Sequence, residues 1–325
     1  MKKILTIILL VGAIILLVWQ QQKNTLENKE VDFSVKDISQ LEKIYFADRY
    51  GNEVTLNKTL ENWLVNNKYT IRKGALETLF STLERMSVKH PVSKSMHNSV
   101  IKTLASEGVK VELYKQNKQP YKTFYVGGET SDFLGTYMII EGAKNAFVMH
   151  IQGFNGFLTP RFNIDGRKVN TDLWRSRKIF ENSKIDSINL KYHEDPIKSF
   201  TLDLVNCSIT YANKEKKQID SNSCSEYLKY LQQVNCEGYA NDFNKKDSLI
   251  FSPAFHTITV FYNNSEKDIL KTYHKKPKRK EYQDTEGNSL KYDVDRLYAF
   301  DGKDVMLIQY YAFNPIIKPM FTVEK

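Results

Sequence analysis

The chain is poor in the residues from which catalytic and metal sites are most often built. Its 325 residues include only 3 cysteines and 6 histidines. Cys207, Cys224 and Cys236 are too few for a disulfide scaffold and lack the paired spacing of a zinc site. The histidines, at 90, 97, 150, 193, 256 and 274, include no i, i+4 pair and no His-Glu-x-x-His. No Gly-x-Ser-x-Gly is present, and Ser99-x-x-Lys102 stands without its Ser-Asp-Asn and Lys-Thr-Gly companions. Gly127-Gly128-Glu129 with Gly135 lacks the Lys-Ser/Thr of a phosphate loop and precedes a strand pattern. With 14 glycines and 8 prolines, the chain is neither collagen-like nor dominated by linkers.

What is present points to a folded protein. Apolar residues make up 41% of the chain, among them 19 Tyr and 18 Phe, too many for a disordered polymer. Lys and Arg number 47 against 38 Asp and Glu, a net charge of +9. This excess is spread along the chain and identifies no partner by itself. It is concentrated only in His274-Lys275-Lys276-Pro277-Lys278-Arg279-Lys280. Such a run reads first as a solvated hairpin loop. Its functional alternative is contact with an anionic membrane surface or acidic partner through Lys275, Lys276, Lys278, Arg279 and Lys280.

The long hydrophobic run is N-terminal. Lys2-Lys3 precedes Ile4 to Trp19, interrupted only by Thr6 and Gly12, and Gln20-Gln21-Gln22 follows. As a helix rising about 1.5 Å per residue, the run reaches about 24 Å, against a hydrocarbon core of about 30 Å. Snorkelling Lys2 and Lys3 and an interfacial Trp19 can make up the difference. No small-x-small cleavage site follows it, so a retained signal anchor is expected, with a cleaved export signal as the alternative. Either leaves the bulk of the chain extracytoplasmic, because the positive cluster stays cytoplasmic. The expected location is the inner membrane, single-pass, with no nucleic-acid partner and no cofactor.

The remainder repeats. Leu76, Leu79, Phe80, Leu83 and Met86 form one face of an amphipathic helix, and Cys224, Tyr227, Leu228, Leu231 and Val234 share that spacing. Downstream, the alternation Val109, Val111, Leu113 is matched to Ile258, Val260, Tyr262, and Lys122-Thr123-Phe124 to Lys271-Thr272-Tyr273. Upstream, Val54, Leu56, Trp63 and Val65 are matched to Phe200, Leu202, Ile209 and Tyr211. Tyr137-Met138-Ile139 resembles Tyr298-Ala299-Phe300 at a larger offset, so the second half carries an insertion. Ser223 and Glu226 are placed as a capping box for the second helix, and Gly108 ends a short helical stretch.

The expected fold class is α+β: two tandem copies of an antiparallel sheet with a packed helix, behind an N-terminal transmembrane helix. The expected divisions are an anchor at 1–24, a polar linker at 25–39, a first unit at 40–162, a connector at 163–182 and a second unit at 183–325. Cys224 falls on the helix face, so burial as a small hydrophobe is its first reading. A Cys224–Cys236 bond would need Cα atoms within about 7 Å, which an intact helix forbids. Cys207, at a strand end, reaches either partner in an oxidising compartment.

Leu41-x-x-Ile44-x-Phe46, Trp63-Leu64-Val65, Phe124-Tyr125-Val126-Gly127-Gly128, Tyr137-Met138-Ile139 and Leu173-Trp174-Arg175-Ser176-Arg177-Lys178 carry a resemblance. They are similar to a bacterial exported family, domain of unknown function 4340, over roughly residues 40 to 270. The resemblance implies a membrane-anchored accessory of an envelope machine, such as an ABC-transport-type complex, and supplies no catalytic residues. The expected function is a non-catalytic interaction module with protein partners; the alternative is a ligand-binding protein or enzyme with a site between the units.

Overall fold

The computed structural model describes residues 30–181, 184–263, 265–277, 283 and 287–318. The apolar run Ile4 to Trp19 and the basic residues Lys278, Arg279 and Lys280 lie outside them. Among the described residues no helix is long and apolar enough to cross a membrane. They form mixed α and β structure with two large antiparallel sheets and six α-helices.

The first sheet comprises β1 (Lys43–Ala47), β2 (Glu53–Lys58), β3 (Trp63–Val65), β4 (Tyr69–Thr70), β5 (Met86–Pro91), β6 (Val109–Tyr114), β7 (Lys122–Glu129), β8 (Thr136–Ile140) and β9 (Phe147–Ile151). Its order is β4-β3-β2-β1-β6-β7-β8-β9-β5. Alternation along β1, β2 and β6 sends Ile44, Phe46, Val54, Leu56, Val111 and Leu113 to one face, each essentially inaccessible to water. Helix α1 (Lys73–Arg85) buries Ala75, Leu79 and Leu83 in that same core, with Leu76 and Phe80 half-buried beside them. Helix α2 (Lys94–Glu107) buries Val100 and Leu104 in a smaller cluster with Tyr137 and Ile139 of β8. Alternation along β8 turns those two away from Met138, which lies in the main core. Gly108 follows α2, where a Cβ would stand 2.4 Å from the carbonyl oxygen of Leu104.

Two segments expected to be linkers belong to this core. Phe33 and Val35, within the expected 25–39 linker, are buried, and Phe33 meets Phe124 and Phe147 edge-on. The Lys122 ammonium holds the same segment, donating to the Ser34 carbonyl at 2.6 Å and pairing with Asp32 at 3.2 Å. The 163–176 part of the expected 163–182 connector belongs to the first unit as well. It forms β10 (Ile164–Asp165), β11 (Lys168–Val169) and α3 (Thr171–Trp174), and the fully buried Trp174 leans on Phe46 at 5.1 Å. The chain divides into its two units between Ser176 and Arg177.

The second unit contains β12 (Ile185–Tyr192), β13 (Phe200–Asp203), β14 (Ser208–Tyr211), β15 (Lys216–Gln218), β16 (Gly238–Tyr239), β17 (His256–Tyr262), β18 (Lys267–His274), β19 (Arg296–Phe300) and β20 (Val305–Gln309). Their order, β15-β14-β13-β12-β17-β18-β19-β20-β16, repeats that of the first sheet strand for strand. Helix α4 (Ser221–Gln233) stands where α1 stands in the first unit, between the β15 hairpin and the opposite edge strand, and has the same length. Its cap is Asp220, whose carboxylate accepts from the backbone N–H groups of Asn222 and Ser223. This displaces the expected Ser223–Glu226 box, because the helix begins three residues earlier. The place of α2 is taken by the short α5 (Lys246–Ile250), and Phe243 stacks on Tyr298 at 4.9 Å. Helix α6 (Tyr310–Ile317) closes the core with Phe313, Ile316 and Ile317.

Register corrects two of the matched sets by two residues and a third by three. Ile44 faces Leu113 and Ile188 faces Val260, so Leu113 corresponds to Val260, Val111 to Ile258, and Val109 to His256. Lys122-Thr123-Phe124 then falls on Asp268-Ile269-Leu270, not on Lys271-Thr272-Tyr273. Val65 corresponds to Ile209, so Trp63 corresponds to Cys207. The match of Tyr137-Met138-Ile139 to Tyr298-Ala299-Phe300 agrees with the register.

The last correction gives the cysteines a role. In the first unit Trp63 packs on Phe80 of α1 at 5.5 Å, joining strand to helix. At the corresponding place in the second unit, Cys207 is bonded to Cys224 of α4, with Cα atoms 5.7 Å apart. Cys224 is buried as expected, and Cys236 is buried and outside the bridge. The bridge spans 17 residues, a loop whose closure restricts the unfolded chain by about 3 kcal/mol. Cys207→Ala with Cys224→Ala is expected to lower stability by about that amount. Reductant should then shift the urea midpoint of the wild type but not of the double variant.

Candidate functional site

The predicted basic contact divides in the fold. Lys275 is 5% exposed, and its ammonium is 2.6 Å from the Asp293 carboxylate. Burial opposes the Asp293 charge, yet the Lys275 hydrogen bond and the backbone N–H groups of Asp295 and Arg296 hold its carboxyl below the usual range. Lys275 is therefore a structural ion pair and leaves the surface run, whereas Lys276 is exposed. The sequence hid this pairing because the two residues stand 18 apart across the insertion.

A second cluster surrounds His256 in the second unit. Where the first unit pairs Val109 with Val126, His256 faces Thr272 across β17 and β18, with Nδ1 2.8 Å from the hydroxyl. His256 is fully buried, and its Nε2 has no hydrogen-bond partner. Tyr192 meets the ring edge-on at 4.5 Å, and Phe255 lies 3.9 Å away. His274 packs on the far side of Phe255 and stacks on Tyr292, while its Nε2 lies 3.0 Å from Glu194. His193 reaches the Thr257 hydroxyl at 2.9 Å. The fold thus gathers His193, Glu194, His256 and His274, which along the chain are scattered histidines and a turn.

Burial, with the nearby His274, Lys318 and His193, pushes the His256 imidazole down to about 3, so it stays neutral. Burial also raises the Tyr192 phenol to about 12, where it remains a donor to the Ile317 carbonyl at the end of α6. The His256 side chain has no accessible surface to offer an incoming substrate. The cluster locks the end of α6 to the sheet. Among the described residues no three His, Cys, Asp or Glu side chains are placed to hold a metal.

The first sheet offers a different surface. The residues that alternate with its core side chains form an open face across β1, β6 and β7. Glu112 lies 2.7 Å from Lys110 and accepts from the Tyr114 hydroxyl at 2.5 Å. Tyr125 donates to Glu141 at 3.1 Å, Lys43 covers the Tyr114 ring, and Arg49 covers Tyr125. Burial and the Glu53 carboxylate push Tyr45 up to about 12, and burial with Glu112 does the same to Tyr114. These phenols remain neutral donors, half-buried on a face that carries charges of both signs. Tyrosine and arginine are enriched at protein contact surfaces, and the Lys and Glu residues around them fit the polar rim of one.

No curated protein and no solved structure matches the chain. A family model does match, over residues 63–250, a narrower span than the 40–270 of the sequence resemblance. It runs from β3 of the first sheet to α5 of the second unit and covers more than half of the chain. The repeated sheets, Trp63 at the head of β3 and the buried Trp174 therefore belong to a member of the family described as Domain of unknown function (DUF4340).

Proposed function

We propose that this chain is a non-catalytic interaction module, anchored in the inner membrane by Ile4 to Trp19 with its two sheet units outside the cytoplasm. The Cys207–Cys224 bond carries the reading. Structural disulfides persist in oxidising compartments and are rare in reducing cytosol. A half-buried bridge in a chain that opens with two lysines and a long apolar run fits export with retention. The tyrosine-bearing face of the first sheet supports binding as the activity, with protein partners in an envelope assembly such as a transporter-associated complex.

The test uses the full chain in its native membrane. Thiols trapped with acid before lysis should show Cys207 and Cys224 oxidised and Cys236 reduced. The chain should resist carbonate extraction, keep its N-terminus at Met1 or Lys2, and be cut by protease added to spheroplasts. Reduced Cys207 and Cys224 in a protease-protected chain would reject export. A mature N-terminus near residue 20 in a carbonate-soluble chain would reject the anchor alone.

A further inference from the structure

The connection between β7 and β8 holds a local conformation that the fold of the first unit does not need. Thr130 to Gly135 form a tight turn whose tip places two large apolar side chains in water: Phe133 is 58% exposed and Leu134 44%. Phe133 has φ 57°, the left-handed region, where bulky side chains are rare and Asn or Gly is preferred. The turn is nevertheless fixed from several sides. The Thr130 hydroxyl donates to Asp132 at 2.5 Å, and Asp132 accepts from the Leu134 N–H at 3.0 Å. The Phe133 N–H reaches the Thr130 carbonyl, and Thr130 N–H the Gly135 carbonyl, both at 2.9 Å. Lys89 reaches the Leu134 carbonyl at 3.4 Å and the Asp132 carboxylate at 3.8 Å. Gly135 is seated so closely that a Cβ would stand 2.3 Å from Val148. Phe157 lies beside the tip, 6.2 Å from the Phe133 ring.

A strained residue held rigidly costs stability, as does an exposed Phe-Leu pair, and neither returns anything to the core. Rigid aromatic side chains offered in a fixed conformation are what binding anchors require, because little conformational freedom remains to be lost on association. We propose that the Phe133–Leu134 knuckle is a docking anchor that inserts into an apolar pocket of a protein partner. This rests on the interaction-module reading and locates its contact.

A protein partner fits the knuckle better than the anchoring bilayer, because the exposed Asp132 carboxylate beside it opposes an anionic lipid surface and the chain enters the unit at the other end. The Glu30 carboxylate is held by the Lys144 N–H at 3.0 Å and the Asn145 side-chain amide at 2.9 Å, in the turn that follows β8. The knuckle precedes β8, so tether and knuckle sit at opposite ends of this strand, about 17 Å apart at about 3.4 Å per residue. In the second unit the corresponding connection, from β18 to β19, is the long insertion with the basic run. The two units thus differ most at one and the same loop, the position where recognition diverges while a scaffold is kept.

The test is photocrosslinking of the full chain in native membranes, with a benzophenone amino acid at Phe133, Phe157, Leu60 or Tyr311, the last exposed on α6 of the second unit. Leu60 is fully exposed in the turn after β2, at the tether end of the sheet, and serves as control. Probes at Phe133 and Phe157 should give one protein adduct of discrete mass that Leu60 does not give. Introducing Phe133→Asn behind the Phe157 probe should cut that adduct about tenfold, the cost of losing an anchor. The same variant should keep or raise Tm, since Asn tolerates the left-handed conformation. A fall in Tm with an unchanged adduct would make Phe133 a packing residue and overturn the proposal. Lipid adducts alone at Phe133 and Phe157 would overturn it in favour of membrane contact. Protein adducts at Tyr311 but not at Phe133 or Phe157 would reject the knuckle and keep the module. Protein adducts at no position would reject both.

Discussion

Acidification from pH 6.5 towards pH 3 should weaken the wild-type protein by about 1.4 kcal/mol per pH unit more than a variant carrying His256→Val and Thr272→Val. The native His256 is held neutral down to about pH 3 by burial and by nearby His274, Lys318 and His193. In the unfolded chain the same imidazole takes up a proton near pH 6.5. Between these values the unfolded state binds a proton that the native state does not, so stability is full above about 6.5 and falls as the pH drops. The double variant restores the valine pair found at the corresponding place in the first unit, between Val109 and Val126. It removes the buried, unpartnered Nε2 at a modest change in volume, so stability at neutral pH should be kept or raised. Urea unfolding at pH 7.5, 6, 5 and 4 measures the difference in slope. Parallel curves for the two proteins would show that His256 contributes nothing to acid lability.

Trp174→Ala should destabilise the first unit by about 3–5 kcal/mol, the usual cost of emptying a fully buried aromatic site. Trp174 has no exposed surface and leans on Phe46 in β1, an interior strand of the first sheet. Its carbonyl accepts from the Arg72 N–H at 2.7 Å, at the start of α1, so the segment that carries it is tied to the helix as well. An unchanged urea midpoint would mean that residues 163–176 are a dispensable connector after all. A large loss places the end of the first unit beyond Trp174.

Much of the fold was legible because its signals are local. The spacing of Leu76, Leu79 and Leu83 sets one helical face, and alternation along Val111 and Leu113 sets one strand face, with no knowledge of the partner. The repeat was legible for the same reason: two stretches with one hydrophobic pattern bury it in one way. The two-residue errors arose because strand side chains have a period of two. Sliding Val109 from His256 to Ile258 keeps every apolar residue on the core face, and only the hydrogen-bonded register rejects it. Phe33, Val35 and Trp174 fall in segments that look like linkers, because isolated apolar residues among polar ones carry no period.

Sequence by itself determined that this chain has one anchor-like apolar run, two copies of an α+β unit, and an insertion in the second. These follow from runs and periodicities that any folded form of the chain must satisfy. Tertiary structure alone decided which cysteines bond, that Lys275 is buried against Asp293, that His193, His256 and His274 gather around Phe255, and that Phe133 is held outward in a left-handed turn. Each depends on residues far apart in the chain or on a backbone angle, and burial and register bring such groups together without leaving a pattern along the sequence.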